Sequence, residues 1–162
     1  MRNLAAMLLA ATLAVTGLAA CAEPDPSHET AAESLTIETS TGVHGFKVEL
    51  ADTEERRRTG LMFREDLALD AGMLFDFETP RVITMWMRNT PLPLDMIFID
   101  PNGRIVSVAE NTVPYSEAIV SSLYPASAVF EVNAGTAKRI SIKVGDRVSH
   151  PLFESPATPG DG

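Results

Sequence analysis

The side chains with the widest chemical repertoire cluster around one segment, Trp86-Met87-Arg88-Asn89-Thr90-Pro91-Leu92-Pro93-Leu94-Asp95, with Arg58 and Arg64 upstream. A guanidinium fork suits carboxylate or phosphate, and an indole can stack on a ring. Asn89 and Asp95 can fix hydroxyl or amide groups. Arg58, Arg64, Trp86, Arg88, Asn89 and Asp95 are therefore the candidate ligand-binding residues. Their chemistry suits a sugar or a peptidoglycan-type fragment. The same residues would equally serve a hydrogen-bonded core. Asp95 carries both readings, because an acid among Leu94, Met96, Ile97, Phe98 and Ile99 must be paired or hydrogen-bonded. Either it accepts backbone N–H groups from the Asn89–Pro93 turn, or it meets an arginine at the mouth of a pocket.

Other chemistries have less to stand on. The chain has no G-x-S-x-G, H-E-x-x-H, P-loop or dinucleotide fingerprint, and no cofactor is expected. The histidines within the folded unit are His44 and His150, too few for a His-based triad or zinc site. Acids are plentiful, so Asp95 with Glu131, or Asp95 with Asp100, could form the acid and base of a hydrolase. Met85-Trp86-Met87 offers a metal alternative. Period two places both thioethers on one strand face, and thioethers bind Cu(I). Methionine on a half-buried strand is also ordinary core filler.

The elements that position these residues read as mostly β, with an α+β minority. Leu35–Thr39 and Phe46–Leu50 alternate with period two and form a hairpin. Asp52 and Glu55 resemble a capping box for a short helix over 53–61, closing near Gly60. Strands follow over 72–77, 82–89, 94–100, 105–109 and 128–132, with 147–148 closing the sheet. On 82–89 the alternation puts Trp86 with Thr84 and Arg88, opposite Met85 and Met87. On 94–100 it sets Leu94, Met96 and Phe98 against Asp95, Ile97 and Ile99. Pro101-Asn102-Gly103-Arg104 is a tight turn. Residues 116–122 suit a short helix or a loop, and 134–142 a short helix or a strand. The expected architecture is a small rolled sheet or barrel of short antiparallel strands with two or three short helices.

Outside this unit the chain is differently composed. Arg2 followed by the apolar run Leu4–Ala20 has the form of a secretory signal over residues 1–20. It meets Leu18-Ala19-Ala20-Cys21, which resembles a bacterial lipobox, with the chain's one cysteine at the lipidated position. Acyl burial at Cys21 would hold the protein on a membrane at about 0.8 kcal/mol per CH₂. Ala22 after it points to the outer membrane, facing the periplasm. Residues 21–34 are acidic and Pro-containing and read as a tether, residues 155–162 as a flexible tail. The domain is thus 35–154, carrying 12 basic and 17 acidic residues, a net −5 within a whole-chain charge of −9. That balance argues against nucleic acid as a partner.

Arg58-Thr59-Gly60-Leu61-Met62-Phe63-Arg64, Gly72-Met73-Leu74-Phe75 and the run from Trp86 to Ile99 resemble the DUF192 family, a domain of unknown function. Phe130-Glu131-Val132-Asn133-Ala134-Gly135 and Val144-Gly145-Asp146 fit its closing pattern, with Phe130 where that pattern often has Leu. The resemblance spans about 46–148. It implies a compact β-rich fold, often exported, and a short helix after Gly135. It implies no activity, substrate or cofactor.

Overall fold

A computed structural model of the chain describes residues 33–154. The signal segment, Cys21, nearly all of the tether and the tail lie outside the described residues.

Seven strands form one sheet. In chain order they are β1 (Glu33–Thr39), β2 (Gly42–Ala51), β3 (Ala71–Met85), β4 (Leu94–Ile99), β5 (Ile105–Ala109), β6 (Val120–Asn133) and β7 (Arg147–Ser149). Two short helices, α1 (Glu54–Thr59) and α2 (Thr136–Arg139), and a 3-10 turn over Pro151–Phe153 complete the fold. The spatial order is β5-β4-β6-β3-β2-β1-β7. The sheet curls until its two edges meet. Arg104, just before β5, bridges to Arg147 of β7, and Val148 N–H donates to the Gly103 carbonyl at 2.7 Å. The mostly β, rolled architecture expected from the alternation is what forms.

One ladder departs from the antiparallel pattern. β2 and β3 run parallel, and a parallel neighbour needs a crossover connection. The connection contains α1, which the sheet topology thereby places beside β3. The helix is capped by Thr53, whose hydroxyl accepts from Arg56 N–H, rather than by Asp52. Asp52 instead pairs with Arg56 at 3.1 Å. Gly60 ends the helix at φ 48°, and a Cβ there would stand 3.0 Å from the Phe75 ring, so only glycine lets this turn lie on Phe75.

Two further differences come from strand length. The segments expected as separate strands over 72–77 and 82–89 are one strand, β3, interrupted by an outward loop. Its pairing with β6 jumps from Asp76↔Ala128 to Arg81↔Ala126. Asp76 Oδ1 accepts from Glu78 N–H and shapes that loop. β6 likewise runs through Tyr124-Pro125, beginning at Val120 where a helix or loop was expected. Long pairing between β3 and β6 overrides the local breakers.

Two apolar clusters occupy the two faces. The inner one gathers Leu35, Phe46, Leu74, Ile97, Ile99, Phe130 and Val148 from around the curl. The outer one gathers Leu61, Met73, Phe75, Leu94, Met96, Phe98 and Val129, mainly from β3, β4 and β6. β4 is buried along its whole length, with its side chains divided between the faces as the alternation predicts. Gly72 permits this density, since a Cβ there would meet the Phe130 ring at 2.4 Å and the Glu131 carbonyl at 2.5 Å.

Candidate functional site

On the outer face, α1 and the residues after it overhang β3 and leave a pocket of about 560 Å³. Its walls are mainly apolar: Leu61, Met62, Phe75, Phe77, Met85 and Ile119, with the Trp86 indole along one side. Thr59, Thr84 and Thr90 add hydroxyl-bearing side chains, and Arg57, Arg58 and Arg81 add cationic ones.

Glu131 also lines the pocket. The register on β6 sets it directly opposite Met73 of β3 and Met96 of β4, at the centre of the outer cluster. It is only 4% exposed, and no hydrogen bond to its carboxyl occurs among the described residues. Burial alone pushes its pKa up to about 8. A carboxyl of this kind holds its proton at neutral pH and can donate one O–H. An apolar cavity with few convergent polar groups and a perturbed acid is the usual form of a small-molecule site.

The three arginines differ in freedom. Arg57 is tied down, donating to the backbone carbonyls of Asp52 and Asp76, both at 2.7 Å, and so fastens α1 to β3. Arg58 pairs with Glu54 at 2.8 Å on the solvent side. Arg81 lies 5.1 Å over the Phe77 ring and has no ion pair among the described residues.

Of the six residues singled out from the sequence, Arg58 and Trp86 line this pocket. Arg88 lies beside it, its guanidinium 5.6 Å from the indole and 3.8 Å from Glu117. Asn89 adopts φ 54° and its amide nitrogen approaches the Met62 sulfur at 3.9 Å. Arg64 is elsewhere engaged, in a bidentate pair with Glu49 of β2 that holds the Glu49 carboxyl below its usual range. Asp95 is on the inner face and fully buried. Its two oxygens accept from Asn111 N–H and Ala137 N–H, each at 2.8 Å. The donors are these, and not the Asn89–Pro93 turn. Ala137 lies in the first turn of α2, whose N-cap, Gly135, has no side chain to supply, so β4 caps the helix from below.

The pairings required by the other readings do not form. Asp95 and Glu131 point to opposite faces of the sheet, and Asp100 accepts from Asn102 and Arg104 N–H in its own turn. β3 ends at Met85, so the alternation that aims two thioethers one way does not reach Met87. Met87 is buried, with the Thr112 hydroxyl donating to its sulfur at 3.2 Å, whereas Met85 lines the pocket. His44 is on the β1–β2 hairpin, 2.9 Å from the Thr41 hydroxyl. His150 caps the 3-10 turn through Nδ1, and desolvation lowers its pKa despite Glu33 at 2.9 Å. Among the described residues no three His, Cys, Asp or Glu side chains are grouped to hold a metal ion.

Glu131 was reachable from the sequence only as a possible partner for Asp95. The signal that marks it is the one that marks Asp95: an acid inside an apolar run, here Ala128-Val129-Phe130-Glu131-Val132.

The model of the DUF192 family, described as an uncharacterised ACR, matches residues 35–150. This chain belongs to the DUF192 family. Two solved structures share the DUF192 chain's fold and much of its sequence. A candidate transcription regulator from Sinorhizobium meliloti 1021 is 48% identical, with a TM-score of 0.72, over 74% of this chain and 94% of that one. A protein of unknown function from Novosphingobium aromaticivorans DSM 12444 is 42% identical, with a TM-score of 0.70, over 72% and 84%. No curated protein matches the chain. Among the described residues of this DUF192 domain, no helix is long and apolar enough to cross a membrane.

Proposed function

We propose that this DUF192 domain is a non-catalytic binding module of the bacterial cell envelope, anchored through lipidated Cys21, and that its pocket takes a sugar or peptidoglycan-type ligand. The observation that carries the reading is the pairing of an accessible indole with an unpartnered acid in one apolar pocket. Trp86 is 44% exposed beside the cavity, and Glu131 lines it with no hydrogen bond to its carboxyl among the described residues. A sugar presents an apolar ring face to the first and polar groups to the second and to the threonines. The relative described as a candidate regulator raises a different use. Action through nucleic acid would call for a basic surface, and a net charge of −9 favours the small ligand.

Trp86 is the chain's single tryptophan, so its fluorescence reports on the pocket alone. Titration with N-acetylglucosamine oligomers and muropeptides is expected to shift and saturate the emission. Calorimetry should then show Trp86→Ala losing about tenfold or more in affinity, the scale of one stacked aromatic contact. Emission unchanged by every sugar would end the proposal. The anchor has its own test. Cys21→Ser should move the protein from the membrane to the soluble fraction of the native host, and an intact mass showing unmodified Cys21 in wild type would refute lipidation.

A further inference from the structure

The charges around the pocket distinguish among ligands. Among the described residues, the charged groups that line the pocket with Glu131 come from α1 or β3: Glu54, Arg57 and Arg58 from the helix, Arg81 from the strand. The outer face of β4 contributes Leu94, Met96 and Phe98, none of them titratable. Arg57 and Arg58 each have an acidic partner, Glu78 and Glu54, whereas Arg81 donates to the Phe77 carbonyl at 3.2 Å and has no acidic partner among the described residues. The pocket therefore offers hydrogen-bond donors of two kinds: a neutral carboxyl, and a guanidinium whose charge no carboxylate among the described residues neutralises. Apolar and aromatic side chains make up the rest of the wall. An amine ligand would have to ionise an acid that has no donors of its own, and would enter past three guanidinium groups with Glu54 as the opposing charge.

We infer that the pocket selects an anion rich in acceptor oxygens: a carbonyl of the ligand accepts a hydrogen bond from the Glu131 hydroxyl, a carboxylate meets Arg81, and a ring lies along Trp86. Within the sugar reading above, on which this rests, the class is an N-acylated sugar acid and not a free amino sugar. No covalent step is involved. Because the O–H of Glu131 is lost as pH rises through about 8, recognition of the carbonyl weakens on the alkaline side.

The test uses the full-length chain in detergent, followed by Trp86 fluorescence at pH 6 and pH 9. N-acetylmuramic acid, N-acetylglucosamine and glucosamine serve as the acidic, neutral and cationic probes. N-acetylmuramic acid should bind about tenfold more tightly than N-acetylglucosamine, the scale of a charge-assisted hydrogen bond. Both should weaken about tenfold at pH 9, on the same scale. Arg81→Gln should erase the preference for the acid while leaving N-acetylglucosamine unaffected. Glu131→Gln, whose amide donates at any pH, should retain binding and lose the pH dependence. Thermal melts of both variants establish that they are folded. Equal affinity for the two N-acetyl sugars, with Arg81→Gln silent, overturns the inference while the sugar site stands. Tightest binding of glucosamine at pH 6 overturns it in favour of a cationic ligand. Silence toward all three probes removes the sugar reading itself and the inference with it.

Discussion

Replacing Glu131 with glutamine is expected to flatten the dependence of stability on pH between 5 and 8. The unfolded chain releases this proton near the ordinary value of 4.5, whereas the fold retains it to about 8. Between those values the folded state binds more protons than the unfolded state. Stability from this group is therefore complete below 4.5, declines as pH rises, and is lost once pH passes through 8. From pH 5 to pH 8 the decline amounts to about 3 kcal/mol, because the slope of about 1.4 kcal/mol per pH unit slackens toward either pKa. Glutamine keeps the shape and has no proton to release. Denaturant melts of wild type and Glu131→Gln should thus diverge steadily toward pH 8, with the variant gaining. Parallel pH profiles for the two proteins would show that the acid is already ionised in the fold. A side chain that costs stability as pH rises and has no bonding partner among the described residues is one that a ligand can use.

Asp95 should behave in the opposite way. Asp95→Ala removes the acceptor of two N–H groups, Asn111 and Ala137, in a fully buried setting. Each orphaned donor costs about 1–3 kcal/mol, so a loss of about 3–5 kcal/mol is expected. A domain of this size has about 5–15 kcal/mol in total, and the melting temperature should fall by roughly 10–20 °C. Asp95→Asn retains one acceptor but turns an NH₂ toward the other N–H, and should lie between alanine and wild type. At temperatures where the variant is folded, Trp86 emission and its response to sugars should be unchanged, because Asp95 faces the interior and the pocket is outside. A variant as stable as wild type but deficient in binding would reverse this assignment and return Asp95 to the ligand.

These two acids show how far the chain can be read before it is folded. Both sit in apolar strands, so both are marked by their own neighbours as residues that need an explanation. Which explanation applies depends on groups far away in sequence. Asp95 is satisfied by amides 16 and 42 residues further on, brought to it by the loop after β5 and by α2. Glu131 has nothing comparable, because β3 and β4 present Met73 and Met96 at the matching positions. No periodicity distinguishes those outcomes.

What the sequence determined alone is what local chemistry controls. The two-faced burial of β4 follows from unbroken apolar alternation. The Asp100–Arg104 turn follows from an Asp side chain and a glycine at φ 76°. The family follows from several motif blocks in order. Tertiary structure decided the rest. It fused two strands into β3, because pairing with β6 outweighs Pro80 and the loop before Arg81. Pairing with β6 stops at Met85↔Val120, and beyond it Trp86 lines the pocket while Met87 is buried in the core. It also ran β2 parallel to β3, which forced the crossover that lays α1 over the sheet. The pocket exists because of that crossover, and hydrogen-bond partners between distant segments are set by topology, which no single stretch of residues encodes.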